Sequence, residues 1–272
     1  DKIGCPMKTD WFNARLDKGA GRINSVRIPY VVDKAVDILK SFDTILIIGA
    51  RRPVAFFAYP NKPGVLTQDS TKFFELANVS DNITNVIEEL SDRVGISTEV
   101  PSTISKLNIP DIPKGIINPT TLGMVLGALI PENAIVVDES VTTGREFFYQ
   151  TAGSHPHTWL NNCGGSIGFG MPVAIGAAIS CPDRKVISLE GDGSAMYTVQ
   201  SLWTMARENL DIVVLIFANQ SYKILQGELT NVGVVNPGKS AMEMLSLQDP
   251  SLDWVSLSKG MGVDAVRVDN LE

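Results

Sequence analysis

The 272-residue sequence predicts an α/β fold built from two doubly wound domains, each around a parallel sheet. Two observations predict it. Short apolar runs of strand length alternate along the chain with stretches whose apolar residues recur at helical spacing, which is typical of parallel sheets. Several of these runs also end in glycine or polar turns, where such folds place their ligands. The apolar content of 44% is sufficient for one large core or two modest ones.

The first predicted domain spans residues 1–110. Its apolar patterning alternates between helical spacing and buried-strand runs. The expected elements are a helix over 28–39, a strand over 44–50 that ends in a glycine turn, a short strand at 64–67 and a helix over 83–90. Residues 95–118, with three prolines among serines and threonines, are expected to form an interdomain linker.

The second predicted domain spans residues 111–272 and has a clear helix start. Asn118 is a suitable N-cap, and Pro119 stands at the first helical position. The expected elements are a helix over 120–130, a strand over 134–138, a helix through Phe147 and Tyr149, a glycine turn at 164–168 that opens a helix, strands over 185–190 and 212–218 with a helix over 195–209 between them, a helical turn from Tyr222, a polar loop over 230–250, and a final helix–strand pair ending near 266–268.

Composition excludes several classes of function. The net charge of −7 and the pI of about 5.0, without any basic run, argue against nucleic acid and anionic membranes as partners. No apolar stretch is long enough to span a bilayer. Three cysteines without metal-ligand spacing favour the reducing cytoplasm. The first residues, Asp1-Lys2-Ile3-Gly4, lack a starting Met and a signal peptide, so we expect an internal fragment.

Two polar turns are the strongest functional signal. Gly191-Asp192-Gly193 follows the apolar run 185–189, and Asn219-Gln220-Ser221 follows the run 212–217. The helically spaced stretch between them makes the two strands parallel, so both turns should lie at one edge of the sheet. A carboxylate and an amide oxygen suit Mg²⁺, and a helix start after Gly193 favours an anion. The sequence therefore predicts a magnesium–diphosphate site.

These motifs resemble a known family. Gly-Asp-Gly followed by Asn at this spacing resembles the thiamine diphosphate-binding motif. Residues 164–172 (Gly-Gly-Ser-Ile-Gly-Phe-Gly-Met-Pro) are similar to the glycine-rich turn of acetolactate synthase and benzoylformate decarboxylase, and residues 53–60 are similar to the acetolactate synthase large-subunit-like branch. The resemblance covers nearly the whole chain, most strongly from about residue 119. It implies a partial central Rossmann-like domain over 1–110 and a thiamine diphosphate-binding domain over 111–272.

The resemblance implies a metal set and a phosphate cradle. Asp192 and Asn219 would bind Mg²⁺ through their side chains, and Ser221 through its backbone carbonyl. The cofactor-binding set is expected to comprise Gly165, Ile167, Gly191, Gly193, Ser194, Thr142 and Ile224. The alternative for Asp192 is a plain turn former or helix cap.

The glycine turn has an implied role in shaping the cofactor. In the family, the carbonyl that corresponds to Gly165 accepts a hydrogen bond from the aminopyrimidine, and the side chain that corresponds to Ile167 bends the cofactor. Close packing of a helix start is the alternative for both residues. Thr142 either bonds the diphosphate or is an ordinary residue at a helix start.

The implied activity is a thiamine diphosphate- and Mg²⁺-dependent reaction of 2-oxo acids. Leu225 stands where the pyruvate decarboxylase branch has a glutamate, and a leucine transfers no proton. This favours acetolactate synthase-like carboligation after decarboxylation. The alternatives are a benzoylformate-type decarboxylase, a non-catalytic thiamine diphosphate-binding or assembly subunit, and an unrelated magnesium–phosphate domain such as a nucleotide binder.

The family's pyrimidine-binding domain, which carries the activating glutamate, has no counterpart in residues 1–110. We therefore name no catalytic residue and expect this chain alone to be inactive. A homo-oligomer of the full-length protein, or a separate pyrimidine-domain chain, would complete the site. FAD is disfavoured because Gly49-Ala50-Arg51-Arg52 lacks the Gly-x-Gly-x-x-Gly fingerprint.

Other polar residues carry weaker expectations. His155 and His157 flank a proline and are expected in an exposed loop, with a role near substrate as the alternative. Arg145 and Lys223 either meet a substrate carboxylate or are simply solvated. The Met and Trp residues of 196–209 are expected in the core because they recur at helical spacing.

Overall fold

The computed structural model describes residues 4–96 and 101–272, and the chain divides into two compact units. The smaller unit comprises Asp1–Trp11 and Ser25–Thr103, and the larger comprises Phe12–Asn24 and Ile104–Glu272. The functional domains 1–110 and 111–272 stay a prediction; by contacts, Phe12–Asn24 belongs with the larger unit. The expectations for Asp1-Lys2-Ile3 and for positions 97–100 of the linker lie outside the described residues.

The elements alternate along the chain as an α/β fold requires. The strands are β1 Lys8–Thr9, β2 Arg15–Lys18, β3 Val26–Arg27, β4 Thr44–Ile48, β5 Lys72–Ala77, β6 Ile135–Glu139, β7 His157–Asn161, β8 Val186–Gly191 and β9 Ile212–Phe217. The helices are α1 Val32–Leu39, α2 Ile83–Val94, α3 Pro119–Leu129, α4 Phe147–Gln150, α5 Gly170–Ser180, α6 Asp192–Ala195, α7 Ser201–Arg207, α8 Lys223–Asn231, α9 Lys239–Met244 and α10 Trp254–Gly260. A 3-10 helix, Met196–Thr198, lies between α6 and α7. The predicted α/β class with parallel sheets is confirmed.

The smaller unit contains two short parallel pairings, β1 with β3 and β4 with β5. Helix α1 buries Val32, Ala35 and Leu39 together with Leu66, and this cluster is the core of the unit. Helix α2 begins at the Asn82 cap, whose side chain accepts a hydrogen bond from the Asn85 N–H. A left-handed glycine, Gly95, ends it, as is common at helix C-termini.

Two expectations for the smaller unit are wrong. The predicted strand over 64–67 is absent, since Val65 forms only an isolated bridge with Val54. The strand that pairs with β4 is β5. Helix α1 begins at Val32 and not at 28, because the Ile28 N–H donates to the Thr9 carbonyl and so extends the β1–β3 pairing.

The larger unit is built on a five-stranded sheet in the order β2-β7-β6-β8-β9. β6, β7, β8 and β9 are parallel, and the edge strand β2 runs antiparallel to β7. β6 precedes both of its neighbours in sequence, with β7 on one side and β8 on the other. This reversal of strand order is the topological switch point at which open α/β sheets bind their ligands.

Both faces of this sheet are covered. Along β6, Val136 points into a core with Phe147, Phe148 and Trp159, whereas its neighbours Ile135 and Val137 point into a second core. The second core includes helix residues Met171, Ala174, Leu202 and Met205. A strand that is apolar on both faces is typical of a sheet between two helical layers.

Several expectations for the larger unit need correction. β7 is a strand that the sequence pattern did not indicate, and α5 begins at Gly170, after the glycine turn. The stretch 195–209 is broken into α6, a 3-10 helix and α7, and α9 lies within the predicted polar loop 230–250. Residues 266–268 form no strand, and Val266 is 84% exposed. Trp203 is half exposed and stacks with Arg207 instead of joining the core.

Within residues 4–96 and 101–272, no helix has the length and apolar character needed to cross a membrane.

The predicted role of Asn118 as the N-cap of helix α3 can be tested, because the helix starts with a complete capping box. The Asn118 side chain accepts from the Thr121 N–H at 3.0 Å, and Thr121 Oγ1 accepts from the Asn118 N–H at 3.0 Å. Asn118→Ala removes one acceptor and should lower the free energy of unfolding by about 1 kcal/mol. Asn118→Ser keeps the acceptor and should lose much less, as measured by urea unfolding. Equal losses in both variants would contradict the capping role, and exposed Thr120→Ala is the control.

Candidate functional site

The parallel register brings the ends of three strands to one edge of the sheet. Glu139 of β6 lies directly opposite Glu190 of β8, and Gly191 of β8 lies opposite Phe217 of β9. The turns that follow these strands therefore start side by side, at the switch point of the sheet. The turns that follow β6, β8 and β9 contain predicted metal and cofactor residues, and all three turns leave the sheet at this edge.

Asp192 is the buried centre of this edge and is only 2% exposed. Its Oδ2 accepts a hydrogen bond from the Gln220 N–H at 2.6 Å, and its Oδ1 accepts from the Gly193 N–H at 3.0 Å. Burial raises the pKa of the Asp192 carboxyl, and the hydrogen bonds from Gln220 and Gly193 oppose that rise. The bond to Gln220 ties the turn after β8 to the turn after β9, as the two-motif prediction requires.

The turn after β9 presents the remaining predicted metal ligands. Asn219 is exposed, and its Oδ1 accepts from the Ser221 N–H at 3.0 Å. Gln220 has a φ of 56°, a left-handed conformation that turns the chain back toward Asp192. A carboxylate, an amide oxygen and a backbone carbonyl are hard oxygen donors of the kind that Mg²⁺ accepts. In the part of the chain that the structure describes, no cluster of three or more His, Cys, Asp or Glu side chains accompanies them.

The predicted phosphate cradle follows Asp192 in helix α6. Ser194 is 5% exposed, and the Gly193 N–H is already used by Asp192. A Cβ built on Gly193 would lie 2.6 Å from the Tyr222 ring, so glycine is needed for this close approach. A Cβ built on Gly191, in contrast, would make ordinary van der Waals contacts, with the Ser194 hydroxyl at 3.7 Å and the Glu139 carbonyl at 3.8 Å. Glycine is therefore needed for close packing at Gly193, whereas Gly191 is not crowded.

The glycine turn joins β7 to α5 and contains left-handed residues at Gly164, Gly165 and Gly168. Gly164 has open space on its Cβ side, and Ile167 is half-buried. The Gly168 carbonyl accepts from the Thr198 hydroxyl at 3.1 Å. The turn is thus held at its end by protein contacts, while its first glycines are exposed to a ligand.

Thr142 lines a cavity of about 440 Å³ at the same edge of the sheet. Its other lining residues are Arg145, Lys223, Gln226, Gly227 and Thr230. Two cationic side chains and two hydroxyls, without an acidic lining residue, form a surface suited to an anion. The residue before Thr142, Val141, has a φ of 48°, which is an outlier for a β-branched side chain and marks a strained turn.

Helix α8 begins directly after the metal-ligand turn and carries the last two residues singled out from the sequence. Ile224 is half-buried, and Leu225 is 45% exposed. Tyr222, which precedes the helix, was not predicted as a site residue. Its ring lies against Gly193, and burial raises the pKa of its hydroxyl, as do Tyr197 and Asp192.

A buried pair of carboxyl groups, Glu139 and Glu190, was also missed. They are 2% and 0% exposed and face each other at the ends of β6 and β8. Burial, together with the charge of Glu139, raises the pKa of Glu190 to about 9, although the Ser188 hydroxyl donates to it at 2.6 Å. At neutral pH Glu190 is therefore the protonated member of the pair. The available signal was an acidic residue at the last position of β6 and at the last but one position of β8.

His157 is buried in β7, which corrects the expectation of an exposed loop histidine. Its Nδ1 lies 2.7 Å from the His155 carbonyl and therefore carries the proton, and its buried Nε2 has no partner among the described residues. The pKa of His157 is lowered to about 4, chiefly by burial and also by the charge of Lys18, while the hydrogen bond to the His155 carbonyl and the charge of Asp17 oppose this shift. His157 is thus a neutral core residue.

Comparison with known proteins agrees with these motifs. The family model described as "Thiamine pyrophosphate enzyme, C-terminal TPP binding domain" matches residues 144–272. A protein of Mycobacterium tuberculosis, provisionally named acetolactate synthase large subunit IlvX, is 41% identical over 270 residues, which are 99% of this chain and 52% of that protein. The chain belongs to the thiamine diphosphate-dependent enzyme family.

Other members of the thiamine diphosphate-dependent family are more distant. Benzoylformate decarboxylase of Pseudomonas aeruginosa is 34% identical over 153 residues, covering 56% of this chain and 28% of that enzyme. The solved structure of a Rhodococcus jostii RHA1 thiamine diphosphate-dependent 4-hydroxybenzoylformate decarboxylase gives a TM-score of 0.78 at 26% identity, over 99% of this chain and 52% of that one. The chain thus spans about half the length of the Mycobacterium tuberculosis protein and of the Rhodococcus jostii enzyme.

The family resemblance predicted from the motifs is confirmed, as is a thiamine diphosphate-binding domain in the C-terminal part. The individual ligands of the metal and the cofactor stay predictions. The structure brings together Asp192 and the turn that begins at Asn219, and it places Thr142 at the same edge.

His157 predicts a specific acid sensitivity. The pKa of His157 is about 4 in the folded protein, whereas in the unfolded chain it has the ordinary value near 6.5. Between these values the unfolded chain binds more protons, so the stability contribution of neutral His157 is complete above pH 6.5 and is lost as the pH falls toward 4, by about 3 kcal/mol at most. His157→Asn keeps a donor toward His155 and should flatten unfolding free energy against pH over this window.

The matched control for this measurement is His155→Asn, which removes the other histidine of the same segment. An unchanged pH slope in His157→Asn would show that the acid sensitivity has another origin.

Proposed function

We propose that this chain provides the diphosphate-binding half of a thiamine diphosphate- and Mg²⁺-dependent enzyme that acts on 2-oxo acids. Acetolactate synthase-like carboligation after decarboxylation is the activity we favour. The observation that carries the proposal is the 2.6 Å hydrogen bond from the Gln220 N–H to Asp192, which joins the two metal-ligand turns at the switch point of the sheet.

Each part of the edge has a proposed task. Asp192, Asn219 and the Ser221 carbonyl would hold Mg²⁺, which binds the diphosphate oxygens. Thr142, with the phosphate cradle Gly191, Gly193 and Ser194, would orient the diphosphate. The Gly165 carbonyl and the Ile167 side chain would orient the aminopyrimidine, with Ile224 beside the cofactor. When bound, the cofactor supplies the electron sink for decarboxylation.

The cavity beside Thr142 supports binding of an anionic substrate. Arg145 and Lys223 are exposed cations on its lining, and no ion pair is recorded for either within the described residues. A guanidinium and an ammonium bind carboxylates by charge-assisted hydrogen bonds. We assign this cavity to the carboxylate of the 2-oxo acid.

Leu225 and the relatives support carboligation over aldehyde release. A leucine that is 45% exposed on α8 can shield the site but cannot deliver a proton to a reaction intermediate. The similarity to the protein of Mycobacterium tuberculosis, over 99% of this chain, points the same way. The similarity to benzoylformate decarboxylase supports the alternative of a 2-oxo acid decarboxylase. Analysis of the product, a hydroxy-oxo acid or an aldehyde, separates the two.

A pyrimidine-binding domain would complete the site, from a second copy of the full-length protein or from a separate chain. A non-catalytic subunit is distinguished by turnover, because adding that domain would then restore none. The acidic composition and the three free cysteines support a cytoplasmic protein.

Calorimetric titration of thiamine diphosphate into this chain, with Mg²⁺ and then with EDTA, tests the site. We expect binding heat with Mg²⁺ only. Asp192→Asn removes the charge but keeps an acceptor for the Gln220 N–H, so affinity should fall at least tenfold while the fold survives. Asp192→Ala is less suitable, because it would leave two backbone N–H groups unpaired and cost about 1–3 kcal/mol of stability.

The control is Asp183→Asn, an exposed aspartate of the same unit. Wild-type affinity in Asp192→Asn would refute the metal assignment, and tighter binding of a nucleotide than of thiamine diphosphate would refute the cofactor.

Arg145 tests the substrate assignment. In an active enzyme that joins this chain to a pyrimidine-binding domain, Arg145→Gln should raise KM for pyruvate about tenfold with a smaller change in kcat, because one charge-assisted hydrogen bond is lost. The exposed Arg207→Gln is the control. If thiamine diphosphate affinity falls instead and KM does not change, the cavity binds the diphosphate and the substrate assignment is wrong.

A further inference from the structure

The buried carboxyl pair at the end of β6 and β8 has no role in the ligand sets described above. Glu139 and Glu190 are almost completely removed from solvent, and each is the partner of the other in the strand register. Placing two acids in a core is costly unless both are hydrogen-bonded. Their contacts therefore show what the pair holds in place.

Glu139 holds both ends of the glycine turn. Its Oε1 accepts from Asn162 Nδ2 at 3.0 Å, before the turn, and from the Phe169 N–H at 3.2 Å, after it. Its Oε2 accepts from the Gly170 N–H at 2.8 Å. The Asn162 amide also donates to the Ser166 carbonyl at 2.9 Å, inside the turn. One carboxylate on a central strand thus fixes the loop between β7 and α5 from both sides.

Glu190 supports the same arrangement from the neighbouring strand. A Cβ built on Gly170 would lie 2.1 Å from Glu190 Oε1, so the start of α5 is packed directly against this carboxyl group. The Ser188 hydroxyl fixes the orientation of Glu190 by a hydrogen bond of 2.6 Å. The backbone at 169–170 is therefore confined between the two carboxyl groups.

We propose that Glu139 is a positioning residue that holds the glycine turn in the conformation needed to bind the aminopyrimidine part of the cofactor. Glu139 acts through the backbone of the turn, which carries Gly165 and Ile167, and does not itself touch the cofactor. This inference rests on the proposed function. It differs from a purely structural role because it predicts a selective effect on one half of the ligand.

The test uses two probes of different extent. Thiamine diphosphate reaches both the glycine turn and the metal-ligand turns, whereas inorganic diphosphate reaches only the latter. Glu139→Gln keeps the size of the side chain but leaves one acceptor oxygen for three donors. Titrated with Mg²⁺ into the whole chain, this variant should bind thiamine diphosphate about tenfold more weakly and inorganic diphosphate within about twofold of wild type.

Two further variants secure the interpretation. Asn162→Ala removes one half-buried tether without placing a change in the core, and should show the same selectivity with a smaller loss. Glu132→Gln, at an exposed glutamate before β6, is the matched control and should bind both probes as wild type does. Equal loss of both probes, or no loss of either, in Glu139→Gln and Asn162→Ala would overturn the proposal.

Amide hydrogen exchange gives a readout that needs no ligand. Glu139→Gln should accelerate exchange at the Phe169 and Gly170 N–H groups relative to the rest of α5. Unchanged exchange there would overturn the tether. If the wild-type chain binds neither probe, the proposed function fails separately, and the exchange at Phe169 and Gly170 still decides whether Glu139 holds the turn.

Discussion

The larger unit depends on the in-register parallel pairing of β6, β8 and β9. This pairing places Glu139 beside Glu190 and Gly191 beside Phe217, so three connections leave the sheet at the same edge. A shift of one residue in any strand would turn its side chains to the opposite face. Because both faces of the sheet are packed against helices, such a shift would also disrupt both cores. The core therefore fixes the register, and the register fixes the site.

The edge that carries the site contains strained residues and buried acids, both of which are unfavourable by themselves. Val141 and Gln220 are left-handed, and strained backbone of this kind costs of order 1–3 kcal/mol per residue. Asp192 and the Glu139–Glu190 pair are buried, although carboxyl groups favour water. Directed hydrogen bonds oppose the cost of burying Asp192, which accepts from the Gln220 and Gly193 N–H groups, and Glu139, which accepts from the Phe169 and Gly170 N–H groups. Strained and buried polar groups that persist at a strand edge are expected where function determines the conformation.

The sequence predicted the elements that have a regular apolar pattern. It did not predict elements and residues whose burial depends on neighbours that are distant in the sequence. β6, β8 and β9 were predicted because each contains an apolar run of strand length, and the capped start of α3 was predicted as well. β7 was missed because its residues, His-Thr-Trp-Leu-Asn, look like a polar loop, and only neighbours on both sides make it a buried strand. The Gly-Asp-Gly and Asn-Gln-Ser turns were predicted because glycine and polar residues directly after an apolar run are typical of turns at strand ends. Glu139 was missed because a single glutamate gives no sign of burial until the turn that it holds is known.

The small number of charges in the proposed metal set is consistent with the proposed ligand. A metal held by the protein alone needs a cluster of anionic or imidazole side chains, and the described residues contain none. A Mg²⁺ ion bound together with a diphosphate would have phosphate oxygens and water as further ligands, so one carboxylate, one amide and one carbonyl would suffice from the protein. More carboxylates would repel the diphosphate. The proposed metal set has Asp192 as its single acid, and Arg145 and Lys223 line the cavity beside Thr142. Both features fit the proposed magnesium–diphosphate site next to an anionic substrate.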